Sequence, residues 1–413
     1  MSIKKLKIGV VVGEFPAASE AFIINQIHFL LKEGHEVDVL ATRSVNVKLA
    51  SFLNNELLDI LDKTILFSKE SLIPKPIISR LFKALTIFFS KGARPFRGEL
   101  IRSLNVFRLG KKALGLRQFY RAYYKWYFEF KSYDVMHIHF GDNAVHLLDQ
   151  IKNYSKKTVV TFHGYDVHKY DISFYKDLVA LKELSFTVNT NFTRNKLLKL
   201  NFENDRITTL PVGLDTTFFK PNLDCKESTF RILFIGRLVK FKAPLLALKI
   251  MHQFVEKHNI KDAELVVIGE GEQYDVCQSY IEKHNISQII KLLGRKNQED
   301  IKLLMERSSV FLFPGIIDDN GRCENQGLVI QEAQAMGLPV IISDVGGMND
   351  GLIDGETGII VPEKNVDGFV SAIYKLYTHR AIRDEMGKAA RNFVVNHYDS
   401  RILGAQLINL YTS

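Results

Sequence analysis

The chain is predicted to be an α/β protein built from two doubly wound domains, and three observations support this expectation. Short apolar runs of strand length recur along the sequence, separated by amphipathic helical patterns, which is typical of parallel sheets with helices on both faces. The alternation occurs as two series, with a break near residues 211–223. At 413 residues the chain is also too long for one compact core.

The first forty residues predict a strand, a helix and a second strand. The strand covers residues 7–12, a turn containing Gly13 follows, and the helix runs from about residue 20 to 32 and ends at Gly34. The second strand is expected at 37–42. Four further strands of this series are expected at 135–140, 158–162, 186–189 and 207–211.

The second series begins at Phe230. Its helices are predicted at 244–256 and 299–307, among others, and a helical tail at about 381–411 ends the chain. Its strands are expected at 231–235, 264–268, 289–293, 310–313, 339–343 and 358–361.

The composition, 46% hydrophobic and 24% charged, is that of a soluble globular protein. The three cysteines, Cys225, Cys277 and Cys323, are widely spaced and odd in number, which argues against a disulfide framework and for a reducing compartment. The N-terminus does not resemble a signal peptide, and no apolar run is long enough to span a membrane. We therefore expect a cytoplasmic location.

Positive charge is concentrated between residues 71 and 132. This segment has fourteen Lys or Arg against Glu99 and Glu129, a net +12 in a chain of +9, and it holds thirteen aromatic residues. A basic amphipathic helix with phenylalanines suits an anionic membrane surface. An ordinary core face with solvated basic residues remains the alternative; no nucleic-acid motif is visible. The apolar stripe comprises Ile77, Ile78, Leu81, Phe82, Leu85, Phe88 and Phe89.

Two glutamates mark a candidate ligand site in the second series. Glu324 lies in the loop after the strand at 310–313, and Glu332 lies about two turns into a helix that begins near Gly327 and ends at Gly337. A helix N-terminus presents free N–H groups and partial positive charge to a phosphate. Because carboxylates accept hydrogen bonds from sugar hydroxyls, the combination predicts a nucleotide-sugar site.

Most other unusual polar residues also follow predicted strands. In open α/β sheets, ligands bind outside the carboxyl ends of the strands, so we expect these loops to line one cleft if the domains face each other. The loops concerned are 13–14, 163–166, 236–238, 269–271 and 314–327.

Together these motifs resemble those of the GT-B-fold glycosyltransferases of family 4, which are retaining enzymes that use nucleotide-sugars. The resemblance covers nearly the whole chain except about 45–130. In the second domain its motifs lie at 236–242, 267–271, 324–332, 335–340 and 355–358, preceded by a linker motif at 211–215. First-domain motifs at 15–26, 137–141 and 162–166 resemble the subgroup that builds exopolysaccharides such as colanic acid.

The resemblance implies the GT-B architecture, two Rossmann-like domains facing a central cleft. Residues 1–212 would bind the acceptor, joined by a C-terminal helix at about 391–413 that crosses back to this domain. Residues 213–390 would bind the nucleotide-sugar.

The resemblance also implies roles for individual side chains. Arg237 and Lys242 would neutralise the diphosphate as the glycosidic bond breaks, where fixed cations contribute most to catalysis. Glu324 would bind the donor hexose and Glu332 the ribose, while His163 would contact the hexose from across the cleft. Further substrate contacts are implied at Gly13, Asp166, Asn325, Gln326, Gly327 and Leu328.

The implied reaction moves a hexose from a nucleotide-diphosphate sugar, UDP-sugar before GDP-sugar, to a glycan or lipid-linked acceptor in cell-surface polysaccharide biosynthesis. No cofactor is implied, because the nucleotide-sugar is a substrate. No metal is expected, since Asp318 and Asp319 are adjacent and do not form an Asp-x-Asp motif. The basic segment would place the enzyme peripherally at the inner face of the cell membrane.

Two other functions are alternatives to this one. A Rossmann-type oxidoreductase is disfavoured, because no G-x-G-x-x-G follows the first strand. A non-catalytic glycan- or membrane-binding protein with a GT-B fold is the alternative, and the retained Arg237, Lys242 and glutamates argue against it. Asn325 and Gln326 depart from the family pattern, which leaves the identity of the donor sugar open.

Overall fold

The computed structural model describes most of the chain as two compact units. One unit comprises Met1–Val188, Lys196–Thr208 and Ile408–Ser413, and the other comprises Asn189–Asn195 and Thr209–Leu407. Only the last residues of the chain, and not the whole of 391–413, group with the first unit. The residues described are 5–17, 20–45, 59–61, 64–66, 74, 76–120, 122–123, 133–152, 154, 156–222 and 229–413.

The first unit contains a seven-stranded sheet in the order β3-β2-β1-β4-β5-β6-β7. The register of β1 with β2 and β4, and of β4 with β5 and β5 with β6, is parallel, as the alternation of strands and helices predicts. Its strands are β1 (Lys7–Phe15), β2 (Glu36–Val45), β3 (Ile65–Leu66), β4 (Val135–His139), β5 (Lys157–Phe162), β6 (Leu184–Val188) and β7 (Ile207–Thr209).

The predicted turn at Gly13 is wrong, because β1 continues through this residue to Phe15. The pairing with β2 resumes at Glu14 after an irregularity that follows Val12. Phe15 is fully buried and anchors the extension in the core. The sequence suggested a turn because a glycine followed the apolar run, but here the glycine marks an irregularity inside a strand.

The helices before residue 200 include one long amphipathic segment in the basic region and several short ones. They are α1 (Ala21–Lys32), α2 (Ile77–Phe89), α3 (Arg97–Arg102), α4 (Val106–Leu109), α5 (Lys111–Leu114), α6 (Gly141–His146), α7 (Leu148–Ile151), α8 (Tyr165–Lys169), α9 (Ile172–Val179) and α10 (Asn191–Lys199).

The second unit contains a six-stranded sheet in the order β10-β9-β8-β11-β12-β13, and all its registers are parallel. Strand order reverses between β8 and β11, so the loops after these two strands flank the crevice where ligands bind in such sheets. Its strands are β8 (Phe230–Ile235), β9 (Ala263–Ile268), β10 (Ile290–Leu292), β11 (Val310–Phe313), β12 (Val340–Ser343) and β13 (Gly358–Val361).

The predicted C-terminal helix divides into two. The break lies at Tyr398 and Asp399, where Leu214 donates its N–H to the Tyr398 carbonyl and accepts from the N–H of Ser400. The helices of this part of the chain are α11 (Pro244–His258), α12 (Tyr274–His284), α13 (Gln298–Glu306), α14 (Leu328–Ala335), α15 (Val366–Thr378), α16 (Arg380–His397) and α17 (Ser400–Thr412).

The central strands of the second unit are buried on both faces, as expected for a parallel sheet covered by helices. Every residue of β9 and β11 is buried. The one charged side chain among them, Glu264, is compensated by Arg231 Nε at 2.6 Å and Lys291 Nζ at 2.5 Å. This rigid sheet holds the loops at its carboxyl edge in place.

The basic segment forms a small core of its own. Ala84 and Ile87 of α2 pack with Phe96, Leu100 and neighbouring aromatic residues. The predicted apolar stripe mostly faces away from this core: apart from half-buried Phe88, its members are exposed. Residues 71–73, 75, 121 and 124–132, with Trp126, lie outside the described residues, as does Cys225.

Candidate active site

In the second unit, the helix that carries Glu332 begins without a capping side chain. Gly327 occupies the N-cap position of α14 in the left-handed conformation, with φ 66°, and no side chain there accepts a hydrogen bond from the first turn. The early N–H groups therefore lack a capping acceptor, and the helix dipole favours an anion beside them. A phosphate or a sugar hydroxyl suits this position.

Glu324 and Lys242 form an ion pair although they lie far apart in the sequence. Lys242 Nζ lies 2.8 Å from Glu324 Oε2, and the two side chains are only 15% and 16% exposed. Lys242 follows β8 in a short 3-10 turn, and its aliphatic part crosses Gly236, where an added Cβ would lie 3.1 Å from Lys242 Cδ. Gly236 thus leaves room for the lysine to reach the glutamate.

Two glycines allow the loop after β9 to pack on the loop after β8. Gly269 and Gly271 have φ of 140° and 151°, and added Cβ atoms would lie 1.9 Å from the Gly236 oxygen and 2.5 Å from the Leu238 oxygen. Leu238 donates its N–H to the Glu270 carbonyl at 2.8 Å. The two loops are therefore fixed against each other on both sides of Arg237.

Arg237 is exposed, and its guanidinium has no ion pair or hydrogen bond in the described part of the chain. The other two basic residues of this loop are both paired, Lys240 with Asp319 and Lys242 with Glu324. Of the three, Arg237 is therefore the residue available to an incoming anion. Its planar guanidinium suits a phosphate, which it can bind through two parallel hydrogen bonds.

Glu332 is half-buried in the second turn of α14. Burial raises its pKa to about 7, and the nearby charge of Lys242 opposes this shift only in part. The carboxyl group therefore changes protonation near neutral pH. A partner that donates hydrogen bonds, such as a ribose diol, would favour the ionised form.

Asn325 directs its side chain toward Thr190 and the first turn of α10. Its Oδ1 lies 2.6 Å from Thr190 Oγ1 and 2.7 Å from Thr193 Oγ1, both of which donate to it. The backbone N–H of Asn325 lies 3.3 Å from Glu324 Oε1. These two hydroxyl groups therefore occupy the side-chain oxygen of Asn325.

Gln326 holds the backbone of the linker segment 211–215, which belongs to the second unit. Its Oε1 accepts from the Val212 N–H at 2.7 Å, and its Nε2 donates to the Val212 carbonyl at 2.8 Å. The side chain is 6% exposed. This paired contact gives Gln326 a structural role that its position beside Glu324 did not reveal.

The loop after β12 supports Glu324 from its backbone side. Gly346 has φ 67°, and an added Cβ there would lie 2.0 Å from the Glu324 carbonyl oxygen. Gly347 donates its N–H to the same carbonyl at 3.3 Å. The two glycines thus let the loop after β12 approach the Glu324 carbonyl closely, and this contact fixes the backbone position of Glu324.

In the first unit, His163 follows β5 inside a cluster of rings. Its ring centroid lies 4.8 Å from that of Phe22 and 4.6 Å from that of Phe140, and its Nε2 lies 3.0 Å from Nδ1 of His139. Burial lowers the pKa of His163 to about 3 and the pKa of His139 well below its usual value. Both imidazoles are therefore neutral near pH 7. In the hydrogen bond between them, one ring nitrogen donates its proton and the other accepts it.

Asp166 braces the loops after β4 and β5. Its carboxylate accepts backbone N–H groups from Gly141 at 2.8 Å and from His163 and Gly164 at 3.1 Å. Burial raises its pKa to about 7 in spite of these three donors, which favour the ionised form. Its contacts orient the backbone on both sides of His163.

The space beside Gly13 is occupied by an arginine of the same unit. An added Cβ at Gly13 would lie 2.0 Å from Nη2 of Arg43 on β2. The absence of a side chain at Gly13 therefore makes room for this guanidinium. A ligand near Gly13 would meet the positive charge of Arg43.

Sequence reasoning missed Glu20 and Arg43 as functional candidates. Glu20 is half-buried at the start of α1, and its Oε2 has no hydrogen-bond partner among the described residues. Burial raises the pKa of Glu20 to about 7, as do the charges of Glu14 and Asp142, while Arg43 lowers it. The available signal was that Glu20 follows the first strand and Asp142 follows the fourth.

Neither a metal cluster nor a membrane-spanning helix is found in the described residues. No group of three or more His, Cys, Asp or Glu side chains there is arranged to hold a metal ion. No helix in this part of the chain is long and apolar enough to cross a bilayer.

Two protein-family models match consecutive parts of the chain. The model described as Glycosyltransferase Family 4 matches residues 19–218, and the one described as Glycosyl transferases group 1 matches residues 215–393. The boundary between them falls close to the change from the first to the second strand series.

Curated relatives match over almost the full length. The chain is 24% identical to "Amylovoran biosynthesis glycosyltransferase AmsK" of Erwinia amylovora, covering 96% of this chain and 97% of the relative. It is 22% identical to "Putative colanic acid biosynthesis glycosyltransferase WcaL" of Escherichia coli strain K12, covering 98% and 99%. A partial match, 29% identical over 47% of this chain and 51% of the relative, is "UDP-Gal:alpha-D-GlcNAc-diphosphoundecaprenol alpha-1,3-galactosyltransferase" of Escherichia coli.

Solved structures share the two-domain fold. A glycosyltransferase from Rickettsia africae superposes with a TM-score of 0.71 at 19% identity, covering 99% of this chain and 98% of that one. Anabaena Alr3699/HepE, solved in complex with UDP, superposes with a TM-score of 0.70 at 13% identity, covering 98% of each chain. These likenesses show the GT-B fold, two Rossmann-like domains.

Proposed function

Because the chain belongs to glycosyltransferase family 4 and is a glycosyltransferase of polysaccharide biosynthesis, we propose that it is a retaining hexosyltransferase. It would move a hexose from a nucleotide-diphosphate sugar to a hydroxyl group of a glycan or lipid-linked acceptor. The observation that carries this proposal is the Arg237 guanidinium, which has no partner among the described residues and lies on the same loop as Lys242 of the Lys242–Glu324 pair. This loop offers cations for a diphosphate, and Glu324 on the loop after β11 offers a carboxylate for a sugar.

The proposed donor is a UDP-sugar, with a GDP-sugar as the next candidate. Support comes from the UDP in the HepE complex and from the UDP-galactose in the name of the galactosyltransferase relative. In this chain Arg237 and Lys242 would hold the diphosphate, Glu324 the hexose and Glu332 the ribose. The N–H groups after Gly327 would add hydrogen bonds to the sugar or phosphate.

In the proposed reaction the bond between the hexose anomeric carbon and the β-phosphate oxygen breaks as the acceptor oxygen bonds to the same face of that carbon. The acceptor proton passes to the departing phosphate, so the products are a glycoside and a nucleoside diphosphate. Negative charge grows on the phosphate in the transition state. Fixed cations beside it, Arg237 and Lys242, lower the barrier, because they need little reorganisation as the charge develops.

The acceptor would bind to the first unit, near His163 and the group formed by Glu20 and Arg43. The neutral imidazole of His163 can exchange hydrogen bonds with a sugar hydroxyl without placing a charge there. We further propose that the acceptor is lipid-linked and that the enzyme works peripherally at the inner face of the cell membrane. The lipid-linked acceptor named for the galactosyltransferase relative supports this.

A donor panel tests the proposal. The purified protein is incubated with UDP-, GDP- and ADP-sugars, and the melting temperature and the release of nucleoside diphosphate are measured. A ligand that binds only the folded protein raises the melting temperature, so we expect one nucleotide family to stabilise the protein and to be hydrolysed slowly. If folded protein responds to no nucleotide-sugar, it is instead a non-catalytic binding protein with a GT-B fold.

A further inference from the structure

An unusual share of the exposed large apolar side chains lies in one short stretch of the chain. Eleven of the twenty found among the described residues fall between residues 77 and 114. Isolated exposed apolar residues are ordinary, but a concentration of them marks an interaction surface. We call these eleven the apolar surface: Ile77, Ile78, Leu81, Phe82, Leu85, Phe89, Ile101, Leu104, Val106, Phe107 and Leu114.

Helix α2 contributes the larger part of this surface. Ala84 and Ile87 face the small core, whereas Ile78, Phe82 and Phe89 on the opposite side are 66%, 68% and 70% exposed. The helix is therefore apolar on two sides, and only one of these is buried. Residues at this spacing form one continuous stripe along the helix.

The helix is held firmly in its orientation. Arg80 donates from Nε to the Pro74 carbonyl at 2.5 Å and from Nη1 to the Gly115 carbonyl at 3.3 Å. Tyr120 donates its hydroxyl to the Arg80 carbonyl at 2.8 Å. The outward stripe is therefore formed on the folded protein and does not need a partner to fold it.

The charge around the apolar surface is strongly positive. The described stretch 76–120 carries ten Lys or Arg and a single acid, Glu99, so acids of this stretch can neutralise few of these cations. Glu99 is itself paired with Arg102. Arg97 donates to the Phe88 carbonyl at 2.8 Å, a contact that leaves its charge uncompensated.

We propose that the apolar surface docks on an anionic lipid bilayer. The phenylalanines and leucines of α2 would lie at the boundary between headgroups and acyl chains, with the basic residues among the anionic headgroups. The inference deepens the location given under the proposed function by naming the surface that makes the contact. It does not depend on donor turnover, so the two can fail separately.

Charge complementarity favours a membrane over a second copy of the chain. Two copies joined through this surface would bring two stretches (residues 76–120) of net +9 together, and like charges repel. A lipid surface offers the opposite charge together with an apolar interior. A nucleic acid offers the charge without an interior for the aliphatic side chains.

The test is co-flotation with vesicles. Phosphatidylcholine vesicles are compared with vesicles of equal parts phosphatidylcholine and phosphatidylglycerol, at low and high salt. We expect recovery with the anionic vesicles only, and weaker recovery at high salt because the attraction is screened. Equal recovery with both vesicles, or none with either, would overturn the proposal.

A variant in the outward stripe identifies the surface. F82S/L85Q/F89S should lose at least tenfold in vesicle affinity while keeping the wild-type melting temperature and donor response, because these side chains are exposed. The matched control V276S/L303S removes exposed apolar side chains from the second unit and should float like the wild type. Wild-type flotation of the α2 variant would contradict the proposal. A wild-type protein that is a dimer in light scattering, with a monomeric α2 variant, would contradict it as well. Tighter binding of the wild type to RNA than to anionic vesicles would also contradict it.

Discussion

At the scale of single residues, the site depends on pairings that sequence spacing did not predict. Lys242 and Glu324 were predicted as separate ligands, one for phosphate and one for sugar, and the structure places them 2.8 Å apart. Their mutual neutralisation keeps two largely buried charges compatible with the fold. A bound donor would then take over part of this compensation.

A double-mutant cycle measures the coupling energy between Lys242 and Glu324. Lys242→Ala alone leaves the Glu324 carboxylate largely buried without its cation, so we expect a loss of about 1–3 kcal/mol in the free energy of unfolding. The double variant Lys242→Ala/Glu324→Ala should lose less than the sum of the single variants, with a coupling energy of about 1–2 kcal/mol. Additive losses in urea denaturation would show that the ion pair is not formed.

The raised pKa of Glu332 predicts a pH-dependent stability. The folded protein retains this proton up to about pH 7, whereas the unfolded chain releases it near 4.5, so stability falls as the pH rises between these values. Glu332→Gln removes the charged form and should stabilise the ligand-free protein at pH 8 by about 1–2 kcal/mol, since partial exposure weakens the effect. At pH 4, below both pKa values, the difference should nearly vanish. A gap that is constant with pH in thermal melts would contradict the assignment.

A substitution at Gln326 tests whether this residue supports the structure or contacts the ligand. Gln326→Ala would leave the partly buried N–H and carbonyl of Val212 without the Gln326 side chain, which should cost about 1–3 kcal/mol of stability. Because this side chain is turned to the linker, the donor affinity of the folded variant should change less than threefold. A large loss of affinity with unchanged stability would instead make Gln326 a direct ligand. Glu332→Gln, measured beside it, provides the opposite expectation: weaker donor binding without loss of stability.

At the scale of elements, the strands and helices were predicted well because each is an apolar or amphipathic run between turn residues. β11 and β13 have the predicted bounds, and α14 begins after Gly327 as expected. The failures occurred where tertiary contacts decide. β1 runs past Gly13, and the C-terminal helix breaks at Asp399, whose carboxylate accepts from Thr216 and pairs with Arg401.

The packed glycine loops predict a sharp difference between two glycine variants. Gly269→Ala would need φ 140° and a Cβ 1.9 Å from the Gly236 oxygen, so we expect a loss above about 3 kcal/mol or failure to fold. The matched variant Gly321→Ala also has positive φ, 72°, but no atom lies within 4 Å of the new Cβ. It should cost only about 1 kcal/mol. Similar melting temperatures for the two variants would contradict the loop packing.

At the scale of the whole molecule, the sequence predicted two parallel sheets because buried strands and their covering helices are local patterns. It did not predict which face of α2 is buried, since the helix is apolar on two sides. Nor did it predict the Glu20 and Arg43 group, because those residues come together only when β1, β2 and α1 pack. The function followed from the fold and from motifs spread over both units.

The most direct test of the account is a calorimetric titration of UDP-glucose and UDP-galactose into three proteins. These are the wild type, Arg237→Ala and Lys240→Ala, a pair of variants that remove neighbouring cations from one loop. If Arg237 binds the donor diphosphate, Arg237→Ala should weaken donor binding at least tenfold. If Lys240 only forms its ion pair with Asp319, Lys240→Ala should weaken donor binding less than threefold. Equal affinities for Arg237→Ala and the wild type would contradict the proposed donor site.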